Sequence, residues 1–286
     1  MQSVLNINRH PPAATARPAV RSTGTSTRGL EMGLLLACLL LLALGAWGPS
    51  IAQPTHYHAF ADQRALFGVP NLMDVLSNLA FAGFGLVGAW RIRRLPQGAI
   101  SPVQRSLADL FFAGLLMTAL CSAWYHVQPQ DLGLAVDRCG MAIAFAGLLG
   151  LAAATRVSDR AGQWLTLAVL VCGAWSIWTW SISANVLPWA VLQYGGIVLM
   201  LGLGSLAARD GALPVSWTIV ILVYALAKVL EQTDAQVYHL TGELVSGHTL
   251  KHVVASFAAL PVLSAMSRAN RPLESSARSA ATSATR

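Results

Sequence analysis

The chain has 286 residues, of which 55% are hydrophobic and only 11% charged. Soluble domains carry about 25% charged residues, so this chain cannot clothe a water-exposed globule, and lipid must cover much of its surface. Its net charge of +7 does not mark a nucleic-acid binder, because the basic residues sit in short loops and tails with no aromatic interleaving.

Residues 1–32 are rich in Arg, Ser, Thr, Pro and Ala and lack an apolar period; they read as a disordered tail. Residues 268–286 read as a second tail. Between them lie apolar runs near 33–52, 72–90, 108–126, 135–154, 164–182, 188–207, 215–231 and 248–266. Each is close to the length that crosses about 30 Å of hydrocarbon as a helix. No run alternates with period two, which argues against a barrel. The expected fold class is therefore all-α, a polytopic membrane helix bundle. A seven-helix core occupies 72–267, an outer loop 53–71, and one extra helix 33–52. That extra helix is either an anchor or a signal peptide, since Ser50 and Ala52 put small residues before Gln53. Cys38, Cys121, Cys139 and Cys172 all lie in apolar runs without a C-x-x-C pair, and read as small core residues.

Orientation follows from Lys and Arg. With Arg9, Arg17, Arg21 and Arg28 inside, alternation puts Arg91, Arg93, Arg94 and Arg105 inside as well. Arg156, Arg160, Arg209, Arg268, Arg271, Arg278 and Arg286 fall on the same side. Only Arg64, Arg138, Lys228 and Lys251 fall on or near the other. Both tails are thus expected in the cytoplasm.

Polar residues inside spans are expensive and need a reason. Here they gather at the outer face. His126 closes one span, with Ser122 one turn before it. A tight connection over 127–134 leads to Asp137 at the same depth on the next helix. His248 and His252 open the last span, and their i, i+4 spacing puts both imidazoles on one face. Three imidazoles can hold Zn²⁺ and leave a fourth position for water. Zinc lowers the pKa of that water towards 7. Asp137 suits a general base or a ligand-orienting group, and Ser122 a hydrogen-bond donor to a developing oxyanion.

The order S-x3-H in SAWYH, Asp137 in AVDRCG and H-x3-H in SGHTLKH resembles the CREST superfamily. That group includes the alkaline ceramidases and the progestin and adipoQ receptors. The Ser77-Asn78 pair in DVLSNLAF matches the family's first core span. The likeness covers about residues 56–268 and is nearest to bacterial ceramidase-like membrane proteins. It implies a seven-helix core, zinc on His126, His248 and His252, Asp137 as base and Ser122 at the oxyanion. The implied reaction is hydrolysis of the amide of ceramide or a related N-acyl lipid, in a bacterial inner membrane. The alkaline ceramidases also carry calcium on an acidic stretch before the first core span. Here HYHAFADQRALFGVPNLMD offers Asp62, Asn71 and Asp74 but not that dense pattern, so calcium is not carried over.

Other polar residues have plainer readings. Lys228 and Glu231 are i, i+3 neighbours that can pair; with Asp234 they form a network behind the His cluster or lipid head-group contacts, or are a snorkelling lysine with an interfacial acid. Lys251 is expected to point off the shared His face towards lipid phosphate. His56 and His58 in H-Y-H are weak candidates for a second metal, and His239, near the outer interface, reads as structural or substrate-facing. Trp124 and Tyr125 read as packing or acyl-cavity residues.

Two functions remain open. One is a zinc-dependent intramembrane amidohydrolase whose partner is a membrane lipid. The other is a receptor-like or lipid-sensing protein in which the zinc is structural. A proton-relay transporter fits less well, because the polar groups cluster at one end and no broken helix pair marks the midplane. No feature points to an obligate protein partner.

Overall fold

The structure, a computed structural model, describes residues 26–270. It is all-α; among the described residues there is no strand, only two isolated bridges. The helices are α1 (Thr27–Trp47), α2 (Leu72–Ser77), α3 (Leu79–Arg94), α4 (Pro102–Val127) and α5 (Asp131–Arg156). They continue with α6 (Asp159–Ser183), α7 (Leu187–Ser205), α8 (Trp217–Gln232), α9 (Asp234–Leu240) and α10 (Gly247–Ser256). Seven spans are long and apolar enough to cross a membrane: α1, α2 with α3, α4, α5, α6, α7, and α10 with its continuation to Asn270. The chain is an integral multi-pass membrane protein. The run expected over 215–231 becomes α8, which has 16 residues and rises only about 24 Å.

Both expected tails prove shorter where they can be followed. Helix α1 starts at Thr27 because the Ser26 side chain caps it, accepting from the Gly29 N–H at 3.2 Å. Residues 27–32 are therefore helix, not tail. At the other end the last helix runs to Asn270, and Arg268 donates to the Pro214 carbonyl at 2.6 Å. Expected tail residues 1–25 and 271–286 lie outside the described residues.

From α3 to α8 each long helix packs on the next, α8 packs on α10, and α10 returns to α2 and α3. The spans thus close into a ring. Helix α1 lies against α7 and keeps most of its surface outward. The most extensive packing is between α4 and α5. A Cβ on Gly147 would come within 2.4 Å of the Phe111 backbone, and one on Gly114 within 2.4 Å of the Ala144 backbone. Small residues at such crossings let membrane helices touch backbone to backbone. That contact holds the Ser122–His126 turn of α4 beside Asp137 on α5.

Two interruptions shape the site. Helix α2 gives way to α3 at Asn78. Helix α10 breaks at Phe257 and Ala258, where Phe257, Ala258 and Leu260 each donate three residues back. Pro261 follows; it has no N–H to continue the ladder and its ring crowds the preceding turn, which produces such a break. Apart from Arg64 and Arg138, the arginines of the described residues gather at the end of the ring away from the histidines. There Arg105 donates to the Ile92 and Leu95 carbonyls, Arg156 to Leu206, and Arg209 pairs with Asp159 at 2.7 Å.

Candidate metal centre

His126 is the penultimate residue of α4, and His248 and His252 lie in the first turns of α10. The ring places these helix ends together. The imidazole centroids form a near-equilateral triangle with sides of 4.9, 5.0 and 4.9 Å. One nitrogen from each lies within 4.8 Å of the other two. The rings are 1%, 9% and 4% exposed, so nothing from bulk water satisfies them. Nδ1 of His126 is buried without a hydrogen-bond partner. Three converging neutral donors with an orphaned nitrogen and no paired carboxylate fit a divalent metal of imidazole preference, zinc among them.

The neighbours of the triangle hold it in register. Ser77 Oγ lies 2.7 Å from Nδ1 of His252 and donates to the Asp74 carbonyl at 2.8 Å. A hydroxyl has one proton, so Ser77 accepts from His252. This puts the His252 proton on Nδ1 and leaves Nε2 free to face the triangle. The backbone N–H of His248 donates to Asp234 Oδ1 at 2.7 Å. Oδ2 of the same carboxylate accepts from Ala61 N–H at 2.9 Å. Asn71, in the left-handed region at φ 47° where Asn is better tolerated than most side chains, donates to the His126 carbonyl at 2.9 Å. The loop before α2 is thereby tied to His126 directly and to His248 through Asp234, while α2 itself holds His252. The loop lays Phe60 over them, with ring centroids 4.7 Å from His126 and 4.4 Å from His248.

Ser122 is buried on α4 and within hydrogen-bonding reach of the Asp137 carboxylate. Asp137 is half-buried and lines a cavity of about 600 Å³ that also reaches His248 and Lys251. Small-molecule pockets usually span about 300–1,000 Å³. Leu134, Met141, Val186, Trp189 and Ala190 supply its apolar wall. Comparison with protein-family models and with curated protein sequences finds no match.

Several expectations need correction. Lys251 does not point to lipid. Its Nζ lies 2.9 Å from Nε2 of His248 and 3.5 Å from Glu231, because residues three apart on a helix are neighbours. An ammonium only donates, so Lys251 competes with a metal for that nitrogen, and Glu231 offers it an alternative seat. Lys228 also pairs with Glu231, which makes this group a network behind the histidines. His58 uses both ring nitrogens, on Tyr125 Oη at 2.9 Å and Asp131 at 3.0 Å. The H-Y-H pair belongs to no metal-ligand group among the described residues. Trp124 is exposed while Tyr125 is buried at the cavity, His239 is exposed, and Cys139 faces outward.

The three residues weighed for calcium have protein partners. Asp62 takes a two-pronged bond from Arg64 at 2.8 and 2.6 Å. Asn71 holds His126 as above, and Asp74 accepts from Thr249 at 2.5 Å. Burial would raise the Asp62 carboxyl, yet the hydrogen bonds and charge of Arg64 outweigh it and hold the group below the usual carboxylate range.

Sequence reasoning missed Ser77 as a partner of His252, Phe60 as the cover, and Arg138 in the cavity wall. The Ser77-Asn78 pair carried a signal through the family resemblance. The other two had none in one dimension.

Proposed function

We propose that this protein is a zinc-dependent hydrolase of lipid amides, as its resemblance to the CREST superfamily implies. The observation that carries the proposal is the buried His triangle beside a half-apolar cavity walled by Asp137. His126, His248 and His252 would hold the ion. The chemistry such an ion supplies is a water nucleophile at neutral pH and polarisation of a carbonyl. Asp137, on the cavity wall, accepts the proton that water gives up and passes it to the leaving amine. Ser122 holds the Asp137 carboxylate until substrate arrives, then turns its hydroxyl to the oxyanion. The apolar wall takes the acyl chain, with Phe60 displaced from the histidines to admit the amide. The bias of the basic residues towards the opposite end supports a site on the non-cytoplasmic face, and the same resemblance supports a bacterial inner membrane.

The test uses purified full-length protein in detergent with a panel of N-acyl lipids including ceramide, with and without a chelator. Fatty acid released by the zinc-loaded protein and abolished by chelation is expected. Asp137→Asn should keep bound zinc and lose turnover, while His248→Ala should lose the zinc. No release from any substrate overturns the enzyme; full zinc stoichiometry in His248→Ala overturns the ligand set. The competing receptor-like or lipid-sensing function with a structural zinc draws support from Phe60, which seals the triangle with its own buried ring. It predicts zinc at full stoichiometry without turnover.

A further inference from the structure

Arg138 follows Asp137 on α5, two turns from the start of that helix. Its side chain is only 1% exposed and lines the same cavity. Three aromatic faces surround the guanidinium: Trp180 at 4.3 Å, Trp189 at 5.4 Å and Tyr57 at 5.9 Å. Nη2 donates to Gln53 Oε1 at 3.0 Å. Nε and Nη1 are buried without a hydrogen bond of good geometry, the Tyr57 phenol being within reach of the guanidinium.

A guanidinium stays charged at any relevant pH. A buried charge within a membrane protein is costly unless an opposite charge meets it. Aromatic faces and an amide soften that cost without cancelling the charge. Two of the carboxylates that could answer it are engaged elsewhere. Asp234 accepts two backbone N–H groups, and Glu231 is shared by Lys228 and Lys251. Asp137 lines the same cavity within hydrogen-bonding reach of Ser122 and makes no ion pair with Arg138. Among the described residues no carboxylate pairs with Arg138 within 4.0 Å. The aromatic rings hold the guanidinium in place, and a planar fork of N–H donors suits a carboxylate or phosphate.

We propose that Arg138 anchors an oxyanion on the amine side of the substrate, so that the preferred lipid is an anionic N-acyl amide, such as an N-acyl amino acid or a phosphorylated amide, and not a neutral ceramide. This deepens the hydrolase proposal, on which the amide itself rests. Arg138 and Asp137 line one cavity, so a single ligand can present its amide to Asp137 and an anion on the amine side to the guanidinium. A neutral head group leaves the charge unanswered.

The test measures binding apart from turnover. Chelator-treated full-length protein in detergent is titrated with N-oleoylglycine, N-oleoylethanolamine and oleate, following tryptophan fluorescence. N-oleoylglycine should bind about tenfold or more tighter than N-oleoylethanolamine, as a charge-assisted pair requires. Arg138→Gln should bring the two within about twofold, and Arg138→Lys, which keeps the charge but not the fork, should retain part of the preference. Equal binding of the two amides by the parent protein overturns the proposal even if Arg138→Gln fails to fold. A preference that survives in folded Arg138→Gln also overturns it. If oleate depends on Arg138 and N-oleoylglycine does not, the anion is that of a free acyl end and the amine-side assignment is wrong. Should the preference hold while zinc-loaded protein cleaves none of the amides, the hydrolase proposal fails and the anion site stands.

Discussion

Removing one hydroxyl, in Ser77→Ala, tests the internal logic of the metal centre. Ser77 Oγ accepts from Nδ1 of His252 at 2.7 Å and donates its own hydrogen bond to the Asp74 carbonyl. Both residues are buried, at 8% and 4% exposure, so no water replaces the lost partner from outside. The substitution leaves a buried imidazole N–H unsatisfied, a cost of about 1–3 kcal/mol. It also frees the ring to rotate or to move its proton to Nε2, the nitrogen assigned to the metal. Loss of such an orienting partner typically weakens metal binding about 10–100-fold. Zinc affinity of the purified protein, measured by competition with a chromogenic chelator, should fall by that factor in Ser77→Ala. Ser77→Thr keeps the hydroxyl and should stay near the parent. An affinity within about threefold of the parent in Ser77→Ala would mean that the hydroxyl does not orient the ring. Tighter binding would mean that Nδ1 is the ligand and Ser77 its competitor. Either result refutes the assignment.

Two further predictions concern how the site is held. Gly247 opens α10 where a Cβ would stand 2.3 Å from the Leu230 carbonyl and 2.8 Å from Asp234 Cα. Gly247→Ala should therefore push α10 off α8, cost about 1–3 kcal/mol in overpacking, and reduce bound zinc; a thermal melt and metal analysis unchanged from the parent would refute this. Asp62 has a carboxyl value lowered by Arg64, so its contribution is fully present above the unfolded value of about 3.9. That contribution is lost as pH falls through the lower folded value. Hydrogen exchange of residues 59–66, corrected for intrinsic rate, should show protection at neutral pH that disappears in acid, and Asp62→Asn should lack it throughout. Equal protection in Asp62→Asn would show that the Arg64 pair does not order the loop.

Much of this protein was legible in one dimension. Hydropathy is a local property, and a span must satisfy its own backbone within lipid, so the apolar runs marked the helices. Their ends depended on caps and partners instead: Ser26 extends α1 back to Thr27, and α8 stops at Gln232. The i, i+4 spacing put His248 and His252 together by helix geometry alone. The same geometry applied at i, i+3 would have turned Lys251 towards His248, so that miss was one of attention to the short spacing, not of missing information.

Other features needed the closed ring. His252 meets Ser77 across 175 residues, and Ala61 meets Asp234 across 173. No local pattern encodes such pairs, because they arise when the last helix returns to the first core span. Arg138 illustrates the division most clearly. As sequence it is one basic residue on the outer side, indistinguishable from a snorkelling side chain. Only packing of α5 against α6, α7 and the outer loop buries it among Trp180, Trp189 and Tyr57. Composition and helical period are enough to determine a membrane bundle with a His cluster at one face. Which donors are left unanswered inside it depends on side chains brought together from distant turns, and only the tertiary structure decides that.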